Sequence, residues 1–208
     1  VDLRDPRLIV TSDERLMLLF GGSAYAGTDL KSYQGRVSLF NPLNQKFKQP
    51  KNISIDESIR TGRDWLWNVT WRNGAAYGVV YQGAKNKTNS QTTHLVRSTD
   101  GIHYKLVSSF ELDSTHSEAD VQFMSDEKMV IIIRGAPGSI GTSEPPYTNW
   151  NWSSLPANLG GPELLVLGDD HLVCATREYN AGNANRTILA RVTPSGEFVR
   201  LLTLPSSG

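Results

Sequence analysis

Glu118 and Arg134 stand sixteen residues apart, the first at the entry of one short apolar stretch and the second at the exit of the next. A carboxylate set against a guanidinium can work as a general base, and the planar guanidinium fork can grip an anionic group through two parallel N–H donors. Charged and aromatic residues recur at comparable stretch ends. Arg177 closes a later stretch as Arg134 does, Arg186 opens the one after it, and Arg4, Asp5, Asp64, Trp65, Glu163 and Tyr179 occupy similar places. Glu118, Asp64 and Asp5 are therefore candidate catalytic carboxylates. Arg134, Arg177, Arg186, Arg4, Trp65, Tyr179 and Glu163 are candidate ligand-binding residues. His94, His103, His116 and His171 show no metal-ligand spacing, and Cys174 is the only cysteine, so neither a metal nor another cofactor is expected.

The elements that must position these residues read as strands. Short runs of Val, Ile, Leu and Thr alternate with Gly, Pro, Asn and Asp turns, and helical spacing is almost absent. A polar turn followed by an apolar strand occurs four times, at residues 12–20, 72–81, 125–133 and 168–176. Each is followed by a third strand, at 36–40, 93–98, 139–143 and 187–192, then by a tight turn and a fourth strand. Equivalent starts at Asp5, Asp64, Glu118 and Glu163 are separated by 59, 54 and 45 residues, close to the roughly 40–50 of propeller repeats. The expectation is an all-β protein, a β-propeller of four-stranded antiparallel blades spanning 1–56, 57–115, 116–158 and 159–208. The four visible blades are expected to belong to a five- or six-bladed ring. In such a blade the entry to strand one and the loop joining strands two and three share one end, which would gather the candidate residues there.

The 208 residues carry 21 Lys and Arg against 21 Asp and Glu. Balanced charge gives no reason to expect a nucleic-acid or anionic-membrane partner. No apolar stretch approaches the roughly 18 residues of a membrane-spanning helix. Neither a Ser-His-Asp arrangement, a phosphate-binding loop nor a dinucleotide fingerprint is present in the sequence.

Two segments resemble a known family. Ser98-Thr99-Asp100-Gly101-Ile102-His103-Tyr104 is similar to the Asp-box turn between strands three and four of sialidases, where Asp and Gly close the turn and the aromatic ring packs on the blade. Glu118-Ala119-Asp120-Val121-Gln122-Phe123, followed by Asp126, the apolar strand 129–133 and Arg134, resembles the sialidase stretch in which a Glu opens strand one and an Arg closes strand two. The resemblance to sialidase-like (BNR/Asp-box) propellers implies a glycoside hydrolase acting on terminal acidic sugars of glycans, secreted or periplasmic. It implies that Glu118 is the base toward a nucleophilic Tyr outside this chain, and that Arg134 with Arg177 or Arg186 holds the substrate carboxylate. The family's first triad arginine, found in an Arg-Ile-Pro context, has no counterpart here, and its acid/base Asp is also unseen. Arg4-Asp5-Pro6 is similar instead to a motif of five-bladed furanosidases, which implies a second reading: hydrolysis by paired carboxylates among Asp5, Asp64, Glu118 and Glu163. A non-catalytic carbohydrate-binding propeller is the third.

Overall fold

The computed structural model describes residues 2–82, 92–112, 115–179 and 185–205. Two compact units divide it, Val1–Ser109 and Phe110–Gly208, each holding two antiparallel meanders. Blade one runs β1 (Asp2–Val10), β2 (Leu16–Ala26), β3 (Asp29–Asn41) and β4 (Lys46–Phe47), with β5 (Lys51–Asn52) also paired to β3. Blade two contains β6 (Ser54–Ile55), β7 (Asp64–Arg72), β8 (Ala75–Gln82), β9 (Thr93–Ser98) and β10 (His103–Phe110). Blade three is β11 (Ala119–Phe123), β12 (Met129–Ile133), β13 (Ser139–Ser143) and β14 (Asn151–Ser154). Blade four is β15 (Leu159–Val166), β16 (Leu172–Glu178), β17 (Arg186–Val192) and β18 (Phe198–Thr203). The fold class is thus all-β, with four antiparallel blades of the propeller type expected from the repeat. One boundary differs: β6, expected in blade one, pairs in parallel with β10 of blade two through Ser54 and Ile55.

The polar turns that precede each second strand have one physical basis. Glu14, Asn73, Gly74, Glu127, Asp169 and Asp170 all adopt positive φ, between 48° and 76°. Tight hairpins need that left-handed conformation to match strand twist, and Asn, Asp and Gly adopt it most readily. Asn73-Gly74 is a two-residue loop with both φ values positive, as a type I′ turn requires.

Packing explains why the second strands read as continuous apolar runs rather than alternating ones. Every residue of β12 is buried, because both faces of the sheet are covered. In the first unit Met17, Leu19 and Val37 of blade one meet Leu66, Val80 and Val96 of blade two. In the second, Val130, Ile132 and Ile140 of blade three meet Leu164, Leu172, Cys174 and Val192 of blade four. Burial pushes the Cys174 thiol up to about 12, so it stays protonated and packs as a small hydrophobe.

The turn at residues 98–104 is closed by its own side chains. Asp100 accepts hydrogen bonds from the backbone N–H groups of Ile102 and His103, both at 2.8 Å, and from Ser98 Oγ at 2.9 Å. The His103 ring lies 2.6 Å from the other carboxylate oxygen, and Tyr104 is buried against the blade. Burial alone would raise the Asp100 carboxyl, but the donors from His103, Ile102 and Ser98 outweigh it and hold it well below the usual carboxylate range. A carboxylate depressed in the folded state contributes stability above its unfolded value near 4, and that contribution is lost as pH falls through the lower folded value. Because the Asp100 side chain is nearly half exposed and solvent screens its charge, Asp100→Ala is expected to cost only about 1 kcal/mol at pH 7, a few degrees in Tm by circular dichroism. Its deficit relative to wild type should shrink as the pH is lowered below about 4.

Candidate functional site

A bulge in β15 organises the candidate residues of the second unit. Pairing with β16 jumps from Gly160↔Arg177 to Glu163↔Ala175, so Gly161 and Pro162 together oppose Thr176 alone. Each residue suits its place. The Tyr179 ring covers Gly160 so closely that a Cβ there would fall 2.4 Å from it, and Gly161 has φ +57°. Pro162 has no N–H to satisfy. The remaining backbone donors are met from blade three. Glu118 Oε2 accepts the Gly161 N–H at 2.7 Å, and Asp120 Oδ2 accepts the Leu164 N–H at 2.8 Å. Side chains two apart on an extended chain share a face, so Glu118 and Asp120 reach the same neighbour together. Asp120 was not among the sequence candidates. It is fully buried, and its i+2 spacing from Glu118 was the available signal.

Glu118 is held on both oxygens, because Arg134 Nη1 donates to Oε1 at 2.6 Å. The backbone ladder brings the two together: Arg134 N donates to Glu118 O at 2.7 Å, continuing the β11–β12 pairing one step past Ala119↔Ile133. The Arg134 guanidinium carbon lies 5.6 Å from the centroid of the Tyr179 ring, and that of Arg177 lies 5.8 Å from it. Arg177 Nη1 donates to the Tyr179 hydroxyl at 3.1 Å. Arg177 is exposed and forms no ion pair among the described residues. Four expected residues, Glu118, Arg134, Arg177 and Tyr179, therefore form one cluster.

The other candidates lie elsewhere. Arg186 is exposed and directly opposes Glu178, which puts it on the other face of the sheet from Arg177. Glu163 sits just past the bulge on β15, half-buried. In the first unit, Arg4 forms an exposed ion pair with Asp2, and Asp5 occupies a bulge of β1 with φ +54°. Asp64, a candidate catalytic carboxylate, is instead a loop anchor. Its carboxylate accepts the N–H groups of Thr61 and Gly62, the Thr61 hydroxyl and the Gln82 amide, at 2.8–3.1 Å, and the residue is 8% exposed. Trp65, a candidate ligand-binding residue, is 5% exposed, lies on Gly21 and meets Tyr33 edge-on at 5.0 Å. It packs the two blades of its unit together. Among the described residues no group of His, Cys, Asp and Glu is placed to hold a metal ion.

No protein-family model matches the chain, and neither does any curated protein. Solved structures do. A Dyadobacter fermentans protein of unknown function superimposes with a TM-score of 0.75 at 16% identity, over 97% of this chain and 65% of its own. The Trypanosoma rangeli sialidase, solved with the inhibitor DANA, gives 0.64 at 14% identity, over 96% of this chain and 38% of the enzyme. A thermostable family-43 glycoside hydrolase gives 0.66 at 13% identity, over 98% and 73%. At these identities the likeness is one of fold, and the chain spans less than two thirds of the first two.

Removing the two clasping carboxylates should have unequal effects. Asp120→Ala leaves the buried Leu164 N–H without its acceptor and is expected to cost about 2–3 kcal/mol in urea unfolding. Glu118→Ala, at a partly open position, is expected to cost about 1–2 kcal/mol. Equal or reversed losses would contradict the assigned roles.

Proposed function

We propose that this chain forms part of a glycoside hydrolase that acts on a terminal acidic sugar of a glycan, with the Glu118–Arg134–Arg177–Tyr179 cluster at its substrate site. The observation that carries the reading is Arg177: an exposed guanidinium without an ion pair among the described residues, directed to the same tyrosine ring as Arg134. Glu118 neutralises Arg134, so Arg177 leaves the cluster with one positive charge in excess, suited to a monoanionic sugar. Both guanidinium groups present planar donors of the kind that recognise a carboxylate. Glu118, fixed by Arg134 and the Gly161 N–H, is positioned to act as the base toward a nucleophilic Tyr supplied from outside these 208 residues. An anionic substrate favours such a nucleophile, because attack by a carboxylate would set like charges together. The fold-level likeness to a sialidase is consistent with this chemistry.

A second reading, furanoside hydrolysis by paired carboxylates, is favoured by the likeness to a family-43 glycoside hydrolase and by Asp5 on the β1 bulge. It makes no use of Arg177. The readings separate in a binding titration of the protein with N-acetylneuraminic acid, its methyl ester and L-arabinose, followed by NMR. The acidic-sugar reading predicts preference for the free acid, and a loss of about tenfold to a hundredfold in that affinity for Arg177→Met, the worth of one charged hydrogen-bonding partner. Equal binding of acid and ester, unchanged in Arg177→Met, would rule it out. Selective binding of arabinose would favour the furanosidase reading.

A further inference from the structure

Glu178 was not a sequence candidate, yet it is a buried carboxylate beside the cluster. It follows Arg177 on β16 and so points to the opposite face, where it is 3% exposed. Arg200 reaches it from β18, with Nε donating to Oε2 at 2.9 Å and Nη2 donating to Oε1. The two-point contact fixes the plane of the guanidinium while its side chain stays 54% exposed. With one partner buried and the other half exposed, the pair is a modest stabiliser at most, and it stands in the wall of a cleft.

That cleft holds about 240 Å3. Pro137 and the Pro156-Ala157 segment form its apolar side, and Asn158, Tyr179 and the Glu178–Arg200 pair form its polar side. We infer that this cleft is a second saccharide site, which takes one neutral sugar ring. Its size lies below the roughly 300 Å3 at which pockets for larger ligands begin, and so matches a single ring. A sugar presents an apolar C–H face and a rim of hydroxyl groups, which the proline wall and the polar wall complement. Guanidinium N–H groups of Arg200 not engaged by Glu178 donate to hydroxyl oxygens, and the Asn158 amide can both donate and accept. Because Glu178 cancels the charge of Arg200, the site gives an anion no advantage, in contrast to Arg177.

Tyr179 borders both places: its ring lies by Arg134 and Arg177, and it also lines the cleft. The neutral site therefore adjoins the proposed acidic-sugar site and would hold the next residue of the same glycan. This adjacency rests on the carbohydrate reading above, whereas binding in the cleft itself is testable alone.

The test is an amide-shift NMR titration of the protein with galactose, xylose and arabinose, followed at Asn158, Glu178, Tyr179 and Arg200. One or more of these sugars should shift those signals saturably. Pro156→Trp, which places an indole at the exposed lip of the cleft, should weaken that binding at least tenfold. Arg200→Lys, which keeps the charge but loses the fork, should weaken it several-fold. Should Pro156→Trp fail to fold by circular dichroism, Asn158→Ala replaces it, with a several-fold loss expected. Binding of N-acetylneuraminic acid through Arg177 should survive each change, so failure of the cleft and failure of the acidic-sugar reading give different results. Absence of saturable shifts at about 100 mM sugar, or binding unaffected by the lip and amide variants, would overturn the inference.

Discussion

Two backbone N–H groups of one bulged strand, taken by two carboxylates of the neighbouring blade, fix the geometry of the candidate site. Gly161 donates to Glu118 and Leu164 donates to Asp120. The same clasp orients Glu118 for Arg134 and leaves Gly160 bare for the Tyr179 ring, on which Arg134 and Arg177 meet. A buried backbone donor without an acceptor would be costly, so the bulge and the carboxylates are mutually dependent.

Charge is divided among the arginines of this unit according to partner. Glu118 neutralises Arg134 and Glu178 neutralises Arg200, while Arg177 has a tyrosine hydroxyl and ring but no carboxylate. Burial sets the pattern. Glu178 lies inside the blade, where an ionised group requires a counter-charge, and Arg177 lies on the open face, where water supplies what a partner otherwise would. One sheet thereby presents a charged surface on one side of Tyr179 and a neutral polar cleft on the other.

Much of the fold was legible because strand burial leaves a simple imprint. The third strands expected at 93–98 and 139–143 are β9 and β13, and the polar turns before each second strand are left-handed turns in all four blades. The pairing of Glu118 with Arg134 was legible for a related reason: residues at the ends of two adjacent antiparallel strands face each other across the ladder. The partner of Trp65 was not, because what buries it is Gly21, forty-four residues earlier in another blade. Asp64 looked like a free acid, since its acceptor role depends on the Thr61–Gly62 turn and on Gln82 across the hairpin. Choosing between Arg177 and Arg186 required the strand register, and Glu178 was hidden between two more conspicuous neighbours. The Gly160-Gly161-Pro162 run carried the signal of the bulge, but its carboxylate acceptors lie more than forty residues away.

The clasp is tested most directly by amide hydrogen exchange at Gly161 and Leu164. Both N–H groups should exchange slowly in the wild-type protein, although neither owes its protection to a regular ladder. In Glu118→Ala the Gly161 amide alone should become fast, with Leu164 still protected through Asp120. Rapid exchange of both amides in the wild type, or loss of both together in Glu118→Ala without global unfolding, would contradict the account.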